Sequence, residues 1–194
     1  MGVCLLCQKV FTDGRFFLLL LRLDQDIAAA ARRAGCACGG VLHSATYRRK
    51  PRGVPAGLDD DGYAKRFSFC CAVDGCRLRV TPPSVRFLGR KVYLGAVVVL
   101  ASALRHGLTR TRVARLHQLL GVSARTLGRW RTWWRTTFAD SSWWRTMRAR
   151  FAPPVAASAL PGSLLERFPG VGWAPLVATL RFLSPMTTSS EVCG

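Results

Sequence analysis

The stretch Phe67–Ser84, FSFCCAVDGCRLRVTPPS, decides how the first half of this chain folds. It holds Cys70, Cys71 and Cys76, an Asp74-Gly75 turn dipeptide, and an alternating run Arg77–Val80 that Pro82-Pro83 stops. Upstream lies GCACGG, Gly35–Gly40, with 32 residues between Cys38 and Cys71. A tetrahedral metal site takes four soft ligands, commonly as two short-spaced pairs on tight turns. Cys36 and Cys38 fit one such knuckle, where Gly39-Gly40 let the backbone turn its N–H groups toward the thiolates. Cys71 and Cys76 fit the other. VLHSATY (Val41–Tyr47) and YAKRFSF (Tyr63–Phe69) have the β-branched and aromatic content of strands. The outline is a zinc ribbon of short antiparallel strands, with Cys36, Cys38, Cys71 and Cys76 expected to hold Zn2+. The pairs are spaced by one and four residues rather than the usual two. Cys70 competes with Cys71, because adjacent residues of a strand face opposite ways, and His43 is a further candidate. Cys4 and Cys7 have knuckle spacing without a second pair and read as incidental, with redox activity or ligation as alternatives.

The charge balance says what surrounds this module. Of 194 residues, 29 are Lys or Arg and 10 are acidic, a net charge of +19. Such an excess suits a polyanionic partner, nucleic acid above all. Arginine outnumbers lysine heavily, which suits phosphate and guanine and also follows from a GC-rich genome. The apolar run Phe16–Leu21 is too short for a bilayer, and Tyr93–Leu104 would span roughly 18 Å as a helix against a ~30 Å hydrocarbon core. With no recognisable signal peptide, a soluble, cytoplasmic and nucleoid-associated protein is expected. In a reducing cytoplasm, paired cysteines favour metal over disulfide.

Around the ribbon, Asp13–Ala34 reads as a helix with Phe16, Leu19, Leu20, Leu23, Ile27 and Ala30 on its apolar side and Gly35 as its stop. The loop YRRKPRGVPAGLDDDG offers Arg48, Arg49, Lys50 and Arg52 to phosphate or to solvent. Asp59, Asp60 and Asp61 read as a solubilising turn.

The second half is helical. A helix from Arg90 closes at Gly107, and Thr109 caps a second with Val113, Leu116, Leu119 and Leu120 as its stripe. Ser123 caps a third, whose Leu127, Trp130, Trp134 and Phe138 share one face. Two short helices joined by GVS have the layout of a helix-turn-helix. The opposite face of the later helix carries Arg125, Gly128, Arg129 and Thr132. From Arg105 to Arg150 there are eleven arginines and one acid, Asp140. The expected duplex-DNA contacts are Arg110, Arg112, Ser123, Arg125, Thr126, Arg129 and Thr132. Trp133, Trp143 and Trp144 are expected to pack rather than stack on bases.

The ribbon, its exit GCRLRVTPPSVRF and the helix start SARTLGRW together resemble the N-terminal region of bacterial insertion-sequence transposases, over Ala34 to Phe138. That resemblance implies binding of double-stranded DNA at terminal repeats. It also implies a separate RNase H-like nuclease domain with an Asp-Asp-Glu site, which this sequence lacks: beyond Phe138 only Asp140, Glu166 and Glu191 are acidic. The expectation is a non-catalytic α+β protein, with a zinc ribbon followed by a mainly helical helix-turn-helix domain. Its segments are 1-34 (a helix), 35-84 (the ribbon), 85-151 (the helical domain) and 152-194 (a Pro/Gly/Ser-rich, partly disordered tail with a short helix at Leu176–Leu183). Alternatives from other classes are a zinc-stabilised basic adaptor for RNA or a protein, and a thiol oxidoreductase using Cys4 and Cys7.

Overall fold

The computed structural model describes residues 10–11, 13–54, 58, 62–89, 93–103 and 109–192, without the side chains of 112 and 189–192. The fold is α+β, mainly helical with a small antiparallel sheet. Helix α1, Gly14–Ala34, begins where the Asp13 carboxylate accepts the Arg15 N–H at 3.0 Å. It ends at Gly35, whose φ of 73° is open to glycine at little cost. Its buried face is Phe16, Phe17, Leu20, Leu21, Asp24 and Ala28. This corrects the expected stripe: Leu19, Leu23 and Ile27 are only half-buried, and Ala30 is exposed. A buried carboxylate sits in the middle of the face, where apolar periodicity does not register it.

Strands β1 (Leu42–Ser44), β4 (Phe69–Cys71), β5 (Leu78–Thr81) and β6 (Ser189–Val192) form one antiparallel sheet in the order β1-β4-β5-β6. Strands β2 (Tyr47–Arg48) and β3 (Lys65–Arg66) form a separate antiparallel pair. The two longer strands expected before the second knuckle are thus each split between the two sheets. The tail, expected to be partly disordered with a short helix at Leu176–Leu183, contains that helix and further elements. It folds through Val192 as α6 (Gly162–Leu165), α7 (Ala174–Leu183) and β6, which pairs along the whole length of β5. Proline and glycine content suggested disorder, but Leu160, Leu164, Leu165, Leu176, Leu180 and Leu183 supply enough apolar surface to order the segment.

The central helix α2, Gly95–Ser102, is buried on every side. The rest of the longer helix expected over 90–107 lies largely outside the described residues; Tyr93 and Leu94 form isolated bridges instead. Helices α3 (Arg110–Leu120), α4 (Ala124–Trp133, continued by a π turn at Trp134–Phe138) and α5 (Ser142–Met147) follow. On α3, Leu116 and Leu120 are buried and Leu119 is 43% exposed, so the expected stripe is narrower. Trp144 is buried, and Trp133 and Trp143 pack beside Phe138. Among the described residues no helix is long and apolar enough to cross a membrane.

The four expected segments do not pack separately. One core cluster takes Phe16 and Leu20, Tyr63, Leu127 and Trp134, and Leu176 and Leu180 from the four in turn. A buried ion pair ties α1 to the exit from the sheet. Asp24 accepts from Arg86 Nε at 2.8 Å, from the Val85 N–H at 2.7 Å and from the Ser84 hydroxyl. Arg86 is fully buried, donates to the carbonyls of Tyr63 and Lys65, and lies against the rings of Tyr63, Phe67 and Phe87. A second buried arginine, Arg66, donates to the carbonyls of Pro82 and Thr187, while the Ser84 N–H donates to Thr187 Oγ1 at 2.8 Å.

Candidate metal centre and basic helix face

The register of β1 on β4 decides the first site. Leu42 faces Cys71, and the Ala72 N–H donates to Val41 O at 3.0 Å, which brings the two cysteine turns together at one end of the sheet. In the first turn the Gly39 N–H donates to Cys36 O at 2.8 Å and the Cys36 N–H to Gly40 O at 3.0 Å. In the second, the N–H groups of Cys76 and Arg77 both donate to Val73 O, with Gly75 at φ 89°. Cys36, Cys38, Cys71 and Cys76 thereby converge, their sulfur atoms all within 4.8 Å of one another. Cys38 and Cys71 sulfurs are 3.5 Å apart, and those of Cys36 and Cys76 are 3.7 Å apart. A tetrahedron with metal–sulfur bonds of about 2.3 Å has edges of about 3.8 Å. The donor set therefore fits one four-coordinate metal ion.

Cys36 and Cys71 sit on a small apolar cluster with Ala28, Leu42 and Phe69, while Cys38 is exposed. The Gly40 backbone N–H, with the neighbouring thiols, lowers Cys38 to about 7. The Val73 N–H favours the Cys71 thiolate, but burial and the three other thiols outweigh it and push Cys71 up to about 12. Gly40 has no room for a side chain: an added Cβ would stand 2.7 Å from Cys71 Sγ and 2.6 Å from Val73 Cγ2.

Among the described residues, Cys70 and His43 are not part of this cluster. Cys70 is disulfide-bonded, whereas metal was expected over disulfide for the paired cysteines. The choice between Cys70 and Cys71 therefore goes to Cys71, the one turned toward the buried face. His43 is exposed and pairs in register with Cys70. Cys4, Cys7 and Asp59–Asp61 lie outside the described residues.

The second site is the solvent face of α4. Gly121, at φ 63°, ends α3, and its carbonyl accepts from Tyr93 Oη at 3.1 Å. Val122 is buried, and Ser123 Oγ accepts the Thr126 N–H at 3.2 Å to start α4. Leu127, Trp130, Trp134 and Phe138 all point into the core. Arg125, Gly128, Arg129 and Thr132 share the opposite, exposed side, and a Cβ at Gly128 would meet nothing. Arg110 is exposed at the start of α3, while the Arg112 side chain lies outside what is described. The remaining expected contacts are placed differently. The Ser123 and Thr126 hydroxyls bond each other in the cap at 3.1 Å, and Thr126 is 9% exposed. In the loop after β2, Arg49 donates to Gly89 O and lies over Phe87, and Arg52 lies over Tyr93. Those two arginines hold the loop to the body of the protein.

Sequence reasoning missed Asp24, Arg66 and Arg86. The one available signal for Asp24 was an acid on the apolar side of α1. Comparison with protein-family models, curated proteins and solved structures finds no match to this chain.

Proposed function

We propose that this is a non-catalytic, sequence-specific double-stranded-DNA-binding protein whose ribbon is stabilised by Zn2+, similar to the DNA-reading part of a transposase. The observation that carries the reading is the division of α4. Its inner face is fully committed to the core, and its outer face presents Arg125, Arg129 and Thr132 beside the small Gly128. With α3 and the three-residue turn Gly121–Ser123, this supports reading α4 as a recognition helix, a type of helix whose first turns reach base edges in the major groove. Arginine can grip guanine O6 and N7 with two hydrogen bonds, worth about 1–3 kcal/mol of discrimination. Arg110, at the start of the preceding helix, is suited to a phosphate. For the ribbon, four cysteine sulfurs within 4.8 Å of one another, two of the pairs at 3.5 and 3.7 Å, favour zinc, which takes four sulfur ligands tetrahedrally. The metal would add to the β1–β4 pairing and the small apolar cluster that already join the two turns.

Selection of bound sites from a random duplex library tests the reading, followed by titration of variants against the selected site and a scrambled duplex at one salt concentration. Arg125→Ala and Arg129→Ala should each relax preference at one position. Arg110→Ala should weaken both duplexes alike. Affinity should fall about 10³-fold between 50 and 200 mM salt if about six phosphates are neutralised. Failure to enrich any site, or equal losses on both duplexes for all three variants, overturns the recognition-helix assignment.

A further inference from the structure

A shallow groove of about 400 Å3 opens between the C-terminal turn of α1 and the β2–β3 pair, away from α4. Its floor is Phe67 and Phe69, and its rim carries Tyr47, Arg32, Arg48 and Lys65. None of its described lining residues is acidic. The register sets Arg48 directly across from Lys65, and Arg32 comes from the last turn of the neighbouring helix. Tyr47 is 41% exposed, although a ring of its size on a short strand could have packed inward. The groove is thus lined by an exposed aromatic residue and by basic ones, and a single nucleic-acid strand needs both: a stacking platform and charges that track the backbone. Duplex DNA cannot use the first part, because its bases are already stacked on one another.

We propose that this groove binds single-stranded DNA, with one base stacked on Tyr47 and the adjoining phosphates held by Arg32 and Lys65. The groove's open side suits a strand passing through it better than an enclosed small molecule. The site is independent of the α4 face, so the two readings stand or fall separately.

The discriminating substitution leaves charge untouched, since a chain of +19 attracts any polyanion. Fluorescein-labelled (dT)8 and a labelled duplex are titrated with the full chain by anisotropy at 150 mM salt. Tyr47→Ala should weaken (dT)8 binding at least about 5-fold, the lower end of a lost base stack. Tyr47→Phe should bind like wild type, and Lys65→Gln should also weaken (dT)8. Duplex affinity should move less than twofold in Tyr47→Ala. Unchanged (dT)8 binding by Tyr47→Ala overturns the proposal. So does equal loss on strand and duplex, or displacement of (dT)8 by dTMP at equal nucleotide concentration, which would mark a mononucleotide pocket. Tighter binding of (rU)8 than of (dT)8 overturns the assignment to DNA. Matching circular dichroism melts exclude unfolding as the cause of any loss.

Discussion

Replacing Asp24 by alanine should be among the most damaging single changes available outside the metal centre. The carboxylate is 1% exposed and accepts three hydrogen bonds, from the Ser84 hydroxyl, the Val85 N–H and Arg86 Nε. Its removal leaves the fully buried Arg86 guanidinium with only the carbonyls of Gly62, Tyr63 and Lys65. Breaking a buried pair on one side costs about 3–5 kcal/mol, because the remaining charge stays uncompensated in a medium of low polarity. The orphaned Val85 N–H adds a cost in the same direction. With an m-value of roughly 2–3 kcal/mol/M, the urea midpoint should drop by roughly 1–2 M. Equilibrium urea unfolding, followed by tryptophan fluorescence and circular dichroism together, measures it. Removing both charges with Asp24→Leu and Arg86→Met should recover part of the loss, because no isolated charge remains. If Asp24→Ala unfolds within about 1 kcal/mol of wild type, the pair does not hold α1 to the sheet exit, and the reasoning fails.

The metal centre gives two further expectations. Metal occupancy should fall as pH drops below about 7, because Cys38 then takes up a proton while Cys71, pushed up to about 12, must already surrender one to any metal. Zinc titrations at pH 5.5, 7 and 8 check this, and affinity that does not rise with pH would refute it. Gly40→Ala keeps all four cysteines yet should weaken zinc binding at least about 10-fold, as its Cβ would overlap Cys71 Sγ. Competition with a colorimetric chelator reads the change, with wild-type affinity as the contrary result.

How legible this chain was follows from the range of the interactions involved. The cluster of Cys36, Cys38, Cys71 and Cys76 could be read because each half is local: a close pair of cysteines on a turn that contains glycine. Ser123 and the Leu127–Trp130–Trp134–Phe138 face could be read for the same reason, as capping and helical periodicity act within a few residues. What could not be read depends on partners far along the chain. Asp24 finds Arg86 62 positions away, so local pattern gives it no reason to be buried. Leu119 has helical spacing but lacks a neighbour to cover it. Thr126 looked like a surface threonine until its hydroxyl proved to belong to the cap. In residues 152–192 the helix at Leu176–Leu183 could be read from its apolar residues, but the elements around it could not, because composition counts prolines and glycines without knowing which leucines find a core.

The Thr187 contact has a consequence for how the molecule is made. Arg66 reaches Thr187 O across 121 positions, and β5 finds its partner β6 only at Ser189–Val192, far along the chain. On a ribosome adding about 5–20 residues per second, Arg66 waits roughly 6–24 s for that carbonyl to be synthesised. Throughout that interval β5 offers an unpaired edge to other nascent chains. The cysteine cluster, by contrast, is complete once Cys76 has emerged. A metal ion captured at that stage would lock β1 against β4 early, leaving one edge strand, rather than a whole sheet, exposed to mispairing until β6 is made.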